Sequence, residues 1–187
     1  MTNFNAENKS SRGDNNGQRR SRPFRVAYCG VLTALALIFS YVEALIPISV
    51  GVPGVKLGLA NLVVLFGLTF LHPGEVLAIS LARILLSGFL FGNGMSILYS
   101  LCGGLLSFLV MFLLIKIKGF SMTGVSIAGG VSHNIGQILC AAAVVRTVKI
   151  LWYLPVLIIA GTAAGFLMGI LFSIVRRALP DIFNNNK

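Results

Sequence analysis

The chain has 187 residues, of which 56% are hydrophobic and only 11% are charged, and its formal net charge is +10. Because a soluble domain carries about 25% charged residues to cover its wetted surface, this composition excludes an ordinary soluble domain. The positive charge does not indicate nucleic acid binding either, since the Lys and Arg residues flank apolar runs instead of clustering on one face. It is better explained by the topology of a membrane protein.

The first segment, residues 1–25, is rich in Asn, Ser, Gly and Arg. It has too little apolar surface to offset the entropy of ordering, which predicts a disordered basic tail. A secretory signal peptide would place a short apolar region near the start, whereas the first apolar run here begins at Val26 and is about 20 residues long. The last segment, 179–187, is predicted to be a second, short tail.

Six apolar spans lie between these tails, and each predicts a transmembrane helix. The spans are 26–46, 57–71, 76–91, 95–115, 126–145 and 154–175. The second and third are short for a hydrocarbon core of about 30 Å at about 1.5 Å per residue. The connections are short too: His72-Pro73-Gly74 and Gly92-Asn93-Gly94 predict turns, and Pro47 to Pro53 predicts an external loop. Residues 26–178 are therefore predicted to form one all-α, integral membrane bundle of six transmembrane helices.

The distribution of Lys and Arg predicts the orientation of this bundle. With a cytoplasmic amino terminus, eleven of the fifteen lie on the inner side, three (Lys56, Arg146 and Lys149) lie outside, and Arg83 lies within the third span. This bias is typical of membrane proteins, whose inner loops are the positive ones. Trp152 and Tyr153 then fall at the outer interface, where amphipathic rings are favoured. We expect a multi-pass protein of the cell membrane with both termini cytoplasmic.

Polar residues within the spans predict a binding site, because an ionisable group at depth is costly and usually faces a cavity or a partner. At about 1.5 Å per residue, Arg83, His133 and Gln137 share a level near the middle of the membrane. His133 and Gln137 are four apart and so lie on one helix face, while a second group is predicted nearer the outer surface. The predicted substrate-binding residues are Glu43, Lys56, Asn61, Arg83, His133, Asn134 and Gln137.

Each of these residues also has a purely structural explanation. Arg83 can pair with backbone carbonyls or with Gln137, and His133 can join two helices by a hydrogen bond. Glu43 and Lys56 can be interfacial residues whose long side chains reach water.

Small residues at four-residue spacing predict close helix packing. Gly161, Gly165 and Gly169 form one such stripe in the sixth span, and Gly30 and Ala34 form another in the first. Internal packing explains both stripes, and the second also suits docking of another membrane protein.

Several kinds of chemistry have no motif in the sequence. It contains no GxxxxGK[ST] phosphate loop, and its five acidic residues are too scattered to hold Mg²⁺. Cys29, Cys102 and Cys140 lack CxxC spacing and are predicted to be small core residues. We therefore expect no catalytic residue, no cofactor and no metal, and no enzymatic activity of the chain alone.

Four segments carry a family resemblance: PGVKLGLANLVVL (53–65), LARILLSGFLFG (81–92), LYSLCGGLLS (98–107) and GVSIAGGVSHNIGQ (124–137). Over about residues 25–178 the chain resembles the Gx transporters, also called heptaprenyl diphosphate synthase component I. That family is similar to the S components of energy-coupling factor transporters, six-helix proteins that bind a micronutrient and depend on an energising module. The resemblance implies an S-component-like fold, with Gly30 and Ala34 contacting the transmembrane subunit of an ATPase module.

Three functions are expected from the residues and the resemblance together. The first is binding or transport of a small molecule, either an anion, which suits the cationic and amide donors, or an isoprenoid- or quinone-related compound. The second is that of a membrane accessory subunit of heptaprenyl diphosphate synthase in isoprenoid and menaquinone biosynthesis, whose catalytic subunit would supply the Asp-rich motifs. A scaffold in a membrane redox assembly is a third. The expected partners are the lipid bilayer, the small molecule, and either the energising module or that catalytic subunit, with no nucleic acid.

Overall fold

The computed structural model describes residues 26–45, 58–117 and 119–178, and in these ranges it contains helices and no strand. The α-helices are α1 (Val26–Leu45), α2 (Asn61–Phe70), α3 (Pro73–Phe91), α4 (Gly94–Lys116), α5 (Met122–Val145) and α6 (Leu154–Ala178). A 3-10 helix, Val148–Tyr153, precedes α6. The two predicted tails, the predicted loop at Pro47 to Pro53, and Lys56 lie outside the described residues. The all-helical fold class is confirmed for the described residues.

Side-chain caps fix where two of the long helices begin. Asn93 precedes α4 and accepts a hydrogen bond from the backbone N–H of Ser96 at 2.8 Å. Ser121 precedes α5 and accepts one from the N–H of Gly124 at 3.0 Å. Because the first N–H groups of a helix have no partner within the helix, such caps stabilise its start. The turn predicted around Asn93 is confirmed.

Five helical segments are long and apolar enough to cross a bilayer: α1, α3, α4, α5, and the 3-10 helix together with α6. The second predicted span contains only the ten residues of α2, which rise about 15 Å. Six of those ten are buried, so α2 is a core helix in contact with α3, α4, α5 and α6. Six full crossings and the cytoplasmic position of both termini stay predictions.

The glycine stripe of α6 packs against α5. A Cβ on Gly165 would lie 2.6 Å from the Cα of Ile127, and one on Gly169 would lie 2.7 Å from the Cα of Thr123. Real Cβ atoms do not approach a neighbouring backbone so closely, so only glycine allows this spacing of the two helices. The predicted internal packing of this stripe is confirmed.

The outside of the bundle is apolar, unlike the outside of a soluble protein. Large apolar side chains cover its outside, among them Phe89, which is 79% exposed. Its interior contains an apolar cluster around Leu65 and Phe172, and beside it a set of buried polar side chains. An exterior of this kind is suited to the hydrocarbon core of a bilayer. Because lipid tails offer no hydrogen bonds, the polar side chains must find their partners inside the bundle.

Candidate functional site

The polar residues predicted from the sequence are nearly all found in the interior. Six of the seven predicted binding residues lie in the described ranges, and every one of them is buried: Glu43, Asn61, Arg83, His133, Asn134 and Gln137. Burying polar side chains is expensive unless they have partners, so the contacts of each one bear on its role.

Two consecutive glycines of α4 bring Arg83 and the polar face of α5 to one level. A Cβ on Gly103 would lie 2.7 Å from Cγ of Gln137 and 3.2 Å from Cε1 of His133. A Cβ on Gly104 would lie 3.9 Å from Nη2 of Arg83. Adjacent helical residues differ in height by only about 1.5 Å, so the three side chains share a level, as the sequence predicts.

The residues predicted to lie nearer the outer surface adjoin this group. The backbone N–H of Gly58, which has a φ of +83°, donates a hydrogen bond to Oε1 of Glu43. A Cβ on Gly58 would lie 3.0 Å from Cδ2 of His133 and 3.1 Å from Nδ2 of Asn61. This turn therefore joins α1, α2 and α5 at the site, and it requires glycine both for its φ and for lack of space. Asn61 also donates to the carbonyl of Gly129 at 3.5 Å.

Arg83 is the most unusual member of the group. It carries an ionisable guanidinium and yet is only 2% exposed. Its Nε and Nη2 atoms are buried and have no hydrogen-bond partner among the described residues. These two atoms lie on the same edge of the guanidinium and present parallel N–H donors, which suit a single carbonyl oxygen or a pair of oxygens. Leaving such donors unsatisfied in the interior is costly.

Asn134 occupies a different interface. Its Nδ2 donates to the carbonyl of Leu157 at 2.8 Å, and a Cβ on Gly161 would lie 2.9 Å from the same nitrogen. Asn134 therefore faces α6, whereas His133 and Gln137 face α4. The structure brings Arg83, His133, Gln137, Asn61 and Glu43 together and places Asn134 apart from them.

The sequence analysis did not predict that serines would lie beside the site. Ser80 is buried, and its Oγ would lie 3.9 Å from a Cβ on Gly104, the same distance as Nη2 of Arg83. Ser100 of α4 is buried, and its hydroxyl has no partner among the described residues. Ser80 precedes Arg83 by three residues and so shares its helix face, a signal that could have identified it.

The small-residue face of α1 lines a groove. Gly30 borders a groove of about 600 Å³ between α1 and α3, together with Thr33, Ala78 and Ala82. A Cβ on Gly30 would meet nothing within 4 Å, so α1 makes no close contact with the described residues at this position. Ala34 is exposed on the same helix.

The three cysteines form no disulfide among the described residues, and two of them are close neighbours. Cys102 of α4 and Cys140 of α5 share a side-chain hydrogen bond, and both are half-buried. Within the described ranges, no three His, Cys, Asp or Glu side chains come together as a metal site would require.

An apolar exterior, several helices long enough to span a bilayer, and a buried polar centre are the features of a multi-pass helical membrane protein. The family model described as "Heptaprenyl diphosphate synthase component I" matches residues 32–175, which is more than half of the chain. The chain belongs to this family, and the predicted resemblance to it is confirmed. No curated protein and no solved structure matches the chain. The similarity to S components stays a prediction.

Proposed function

We propose that this protein binds a small polar molecule inside its helix bundle, as the substrate-binding protein of a membrane transport process. The observation that carries the proposal is the buried edge of Arg83, whose Nε and Nη2 donors lack a partner among the described residues. A ligand oxygen that accepts from this edge would offset the cost of burying it. The binding group in this proposal is Glu43, Asn61, Arg83, His133 and Gln137.

A purely structural role for Arg83 explains less of the geometry. A role that only held the helices together would explain why Arg83 is buried in the bundle. The donor edge would still lack an acceptor, and a bundle gains nothing by retaining it. A binding role accounts for both the burial of Arg83 and its donor edge.

The test is to purify the full chain and an Arg83→Met variant from their native membrane in lipid nanodiscs and to identify the retained small molecules by native mass spectrometry. We expect the wild type to retain a compound whose occupancy falls about tenfold or more in Arg83→Met, since a hydrogen bond to a charged group contributes roughly 1.5 to 3 kcal/mol. Arg146→Met is the matched control, because Arg146 is exposed beyond the end of α5. Equal occupancy in all three proteins would contradict the proposal.

The family description favours a second function, that of the membrane accessory subunit of a prenyl diphosphate synthase. This function predicts that the chain co-purifies with an Asp-rich catalytic subunit and that the product chain length changes when the chain is left out. An unchanged product length would count against it.

The groove beside Gly30 is the proposed docking face for a protein partner, either the transmembrane subunit of an energising module or the prenyl synthase subunit. Trp at Gly30 or Ala34 should reduce co-purification with that partner, because a bulky side chain prevents close helix approach. Ala163→Trp is the control, since Ala163 is exposed on α6, away from the groove. Unchanged co-purification of both α1 variants would exclude this face.

A further inference from the structure

Two cysteine side chains meet at the interface between α4 and α5. A Cβ on Gly136 of α5 would lie 2.8 Å from the carbonyl oxygen of Cys102 of α4, so the two backbones are in contact at this level. Cys140 lies about one helical turn beyond Gly136. The thiols of Cys102 and Cys140 share a hydrogen bond, and both residues are half-buried.

The directions of the two helices bring these side chains toward each other. Cys102 of α4 adjoins Gly136 of α5. Met111 lies later on α4 and adjoins Gly129, which lies earlier on α5, so the two helices are antiparallel. Because side chains lean toward the amino terminus of their own helix, Cys102 leans toward the level of Cys140, and Cys140 leans back toward it. Side chains that converge in this way are what a disulfide between neighbouring helices requires.

The cysteine pair borders the outside of the bundle. Leu98 and Leu105 are four residues before and three residues after Cys102, so they share its helix face, and both are exposed. Val144 shares the helix face of Cys140 in the same way and is exposed as well. An uncharged oxidant dissolved in the hydrocarbon of the bilayer can therefore reach the two thiols.

The same pair adjoins the buried polar group. Gly103 directly follows Cys102, and a Cβ on it would lie 3.2 Å from Cε1 of His133. Gln137 precedes Cys140 by three residues and so lies on the same face of α5. Because His133 is only 1% exposed, a molecule from outside can reach its ring only when neighbouring helices separate. A covalent bond between α4 and α5 at this point would oppose that separation.

Going beyond the function proposed above, we infer that Cys102 and Cys140 are a redox-active pair that a quinone dissolved in the bilayer oxidises, and that the resulting disulfide restricts access to the buried polar group. In this step each thiol loses its hydrogen, and an S–S bond forms between the two sulfur atoms. The quinone accepts the two electrons and the two protons and becomes a hydroquinone. A dithiol reductant reverses the step by thiol–disulfide exchange. The pair acts in this way whether or not the buried group holds a ligand.

The oxidation is tested with tetramethyl-1,4-benzoquinone, whose methyl groups block addition of a thiol to the ring. The full chain in nanodiscs is treated with an excess of this quinone, the remaining thiols are blocked with N-ethylmaleimide, and the peptides are analysed by mass spectrometry. We expect a disulfide between Cys102 and Cys140 that dithiothreitol removes. The Cys29→Ser variant is the matched control and should form the same disulfide, since Cys29 lies on α1. A chain that forms no such disulfide would overturn the inference.

Access to the buried group is measured by the rate at which diethyl pyrocarbonate, a small uncharged reagent, modifies His133. His72 is the internal reference, because it is exposed just before α3. We expect oxidation to lower the rate at His133 relative to that at His72 about tenfold or more, since a disulfide opposes the separation of the segments it joins. Removal of the disulfide with dithiothreitol should restore the relative rate. The Cys102→Ser variant should show no response to the quinone.

Each other result counts against the inference. A disulfide that forms without changing the relative rate would show that α4 and α5 do not control access to His133. Equal rates at His133 and His72 in the reduced protein would contradict the burial of His133, and a response that persists in Cys102→Ser would assign the effect to another group. Neither readout uses a bound ligand, so failure of this inference leaves the proposed binding function standing, and failure of that function leaves this inference standing.

Discussion

Gly58 donates its backbone N–H to the carboxylate of Glu43, fifteen residues earlier in the chain. This buried hydrogen bond ties the end of α1 to the turn that precedes α2. It fixes the carboxylate of Glu43, and the same turn lies against His133. One glycine therefore joins the polar groups contributed by three helices.

Replacing Gly58 with Ala should destabilise the bundle. The new Cβ would occupy a backbone of positive φ, 3.0 Å from the His133 ring, which should cost roughly 1 to 3 kcal/mol. Thermal unfolding in nanodiscs measures this loss. Gly30→Ala is the control, since its Cβ would meet nothing within 4 Å. Equal unfolding temperatures for the two variants would contradict the described turn.

Gly103→Ala should separate α4 from α5. Its Cβ would lie 2.6 Å from the carbonyl oxygen of His133, a backbone atom that cannot move without the helix. We expect a loss of stability of about 1 to 3 kcal/mol together with weaker ligand retention. A Cβ on Gly94, at the start of the same helix, would meet nothing within 4 Å, so the Gly94→Ala variant should keep both its stability and its ligand retention. Full stability and retention in Gly103→Ala would show that α4 and α5 are farther apart than described.

Asn134→Leu should distinguish an interface residue from a binding residue. It removes the hydrogen bond to Leu157, so we expect the stability of the α5–α6 contact to fall by about 0.5 to 1.5 kcal/mol. Ligand retention, corrected for the amount of folded protein, should stay unchanged because Asn134 faces away from Arg83. A loss of retention as large as that of Arg83→Met would place Asn134 in the binding group.

Cys102 and Cys140 should cross-link under a lipid-soluble oxidant such as copper phenanthroline. Their side chains share a hydrogen bond, so removal of both thiol hydrogens can form a disulfide between α4 and α5. Mass spectrometry of peptides detects the bond in the full chain. The Cys29→Ser variant should still form this disulfide, and the Cys140→Ser variant should not. A link from Cys29 to either of the other cysteines would contradict the described packing.

The sequence predicts the helices well because length and hydropathy determine them. The five long spans differ from the structure mainly at their ends, and Arg83 shares the level of His133, as the rise per residue requires. The second span is wrong in its length, since the turn at Gly58 delays the start of α2 to Asn61.

Sequence periodicity could not predict which residues contact one another in the site. Helix periodicity separates Asn134 from His133 by about 100° around α5, but it does not state which helix lies on each side. The hydrogen bond from Gly58 to Glu43 is likewise beyond periodicity, since no regular spacing connects a residue of α1 with the turn before α2.

The central claim, that the buried edge of Arg83 holds the ligand, is tested most directly by nitrogen NMR of arginine Nε in the full chain in nanodiscs. The Arg83 signal is assigned by its disappearance in Arg83→Lys. Because Nε–H should gain an acceptor, we predict that this signal shifts on saturation with the small molecule that the wild type retains in nanodiscs, while the signal of Arg146 stays in place. An Arg83 signal that does not move while that molecule is bound would contradict the claim.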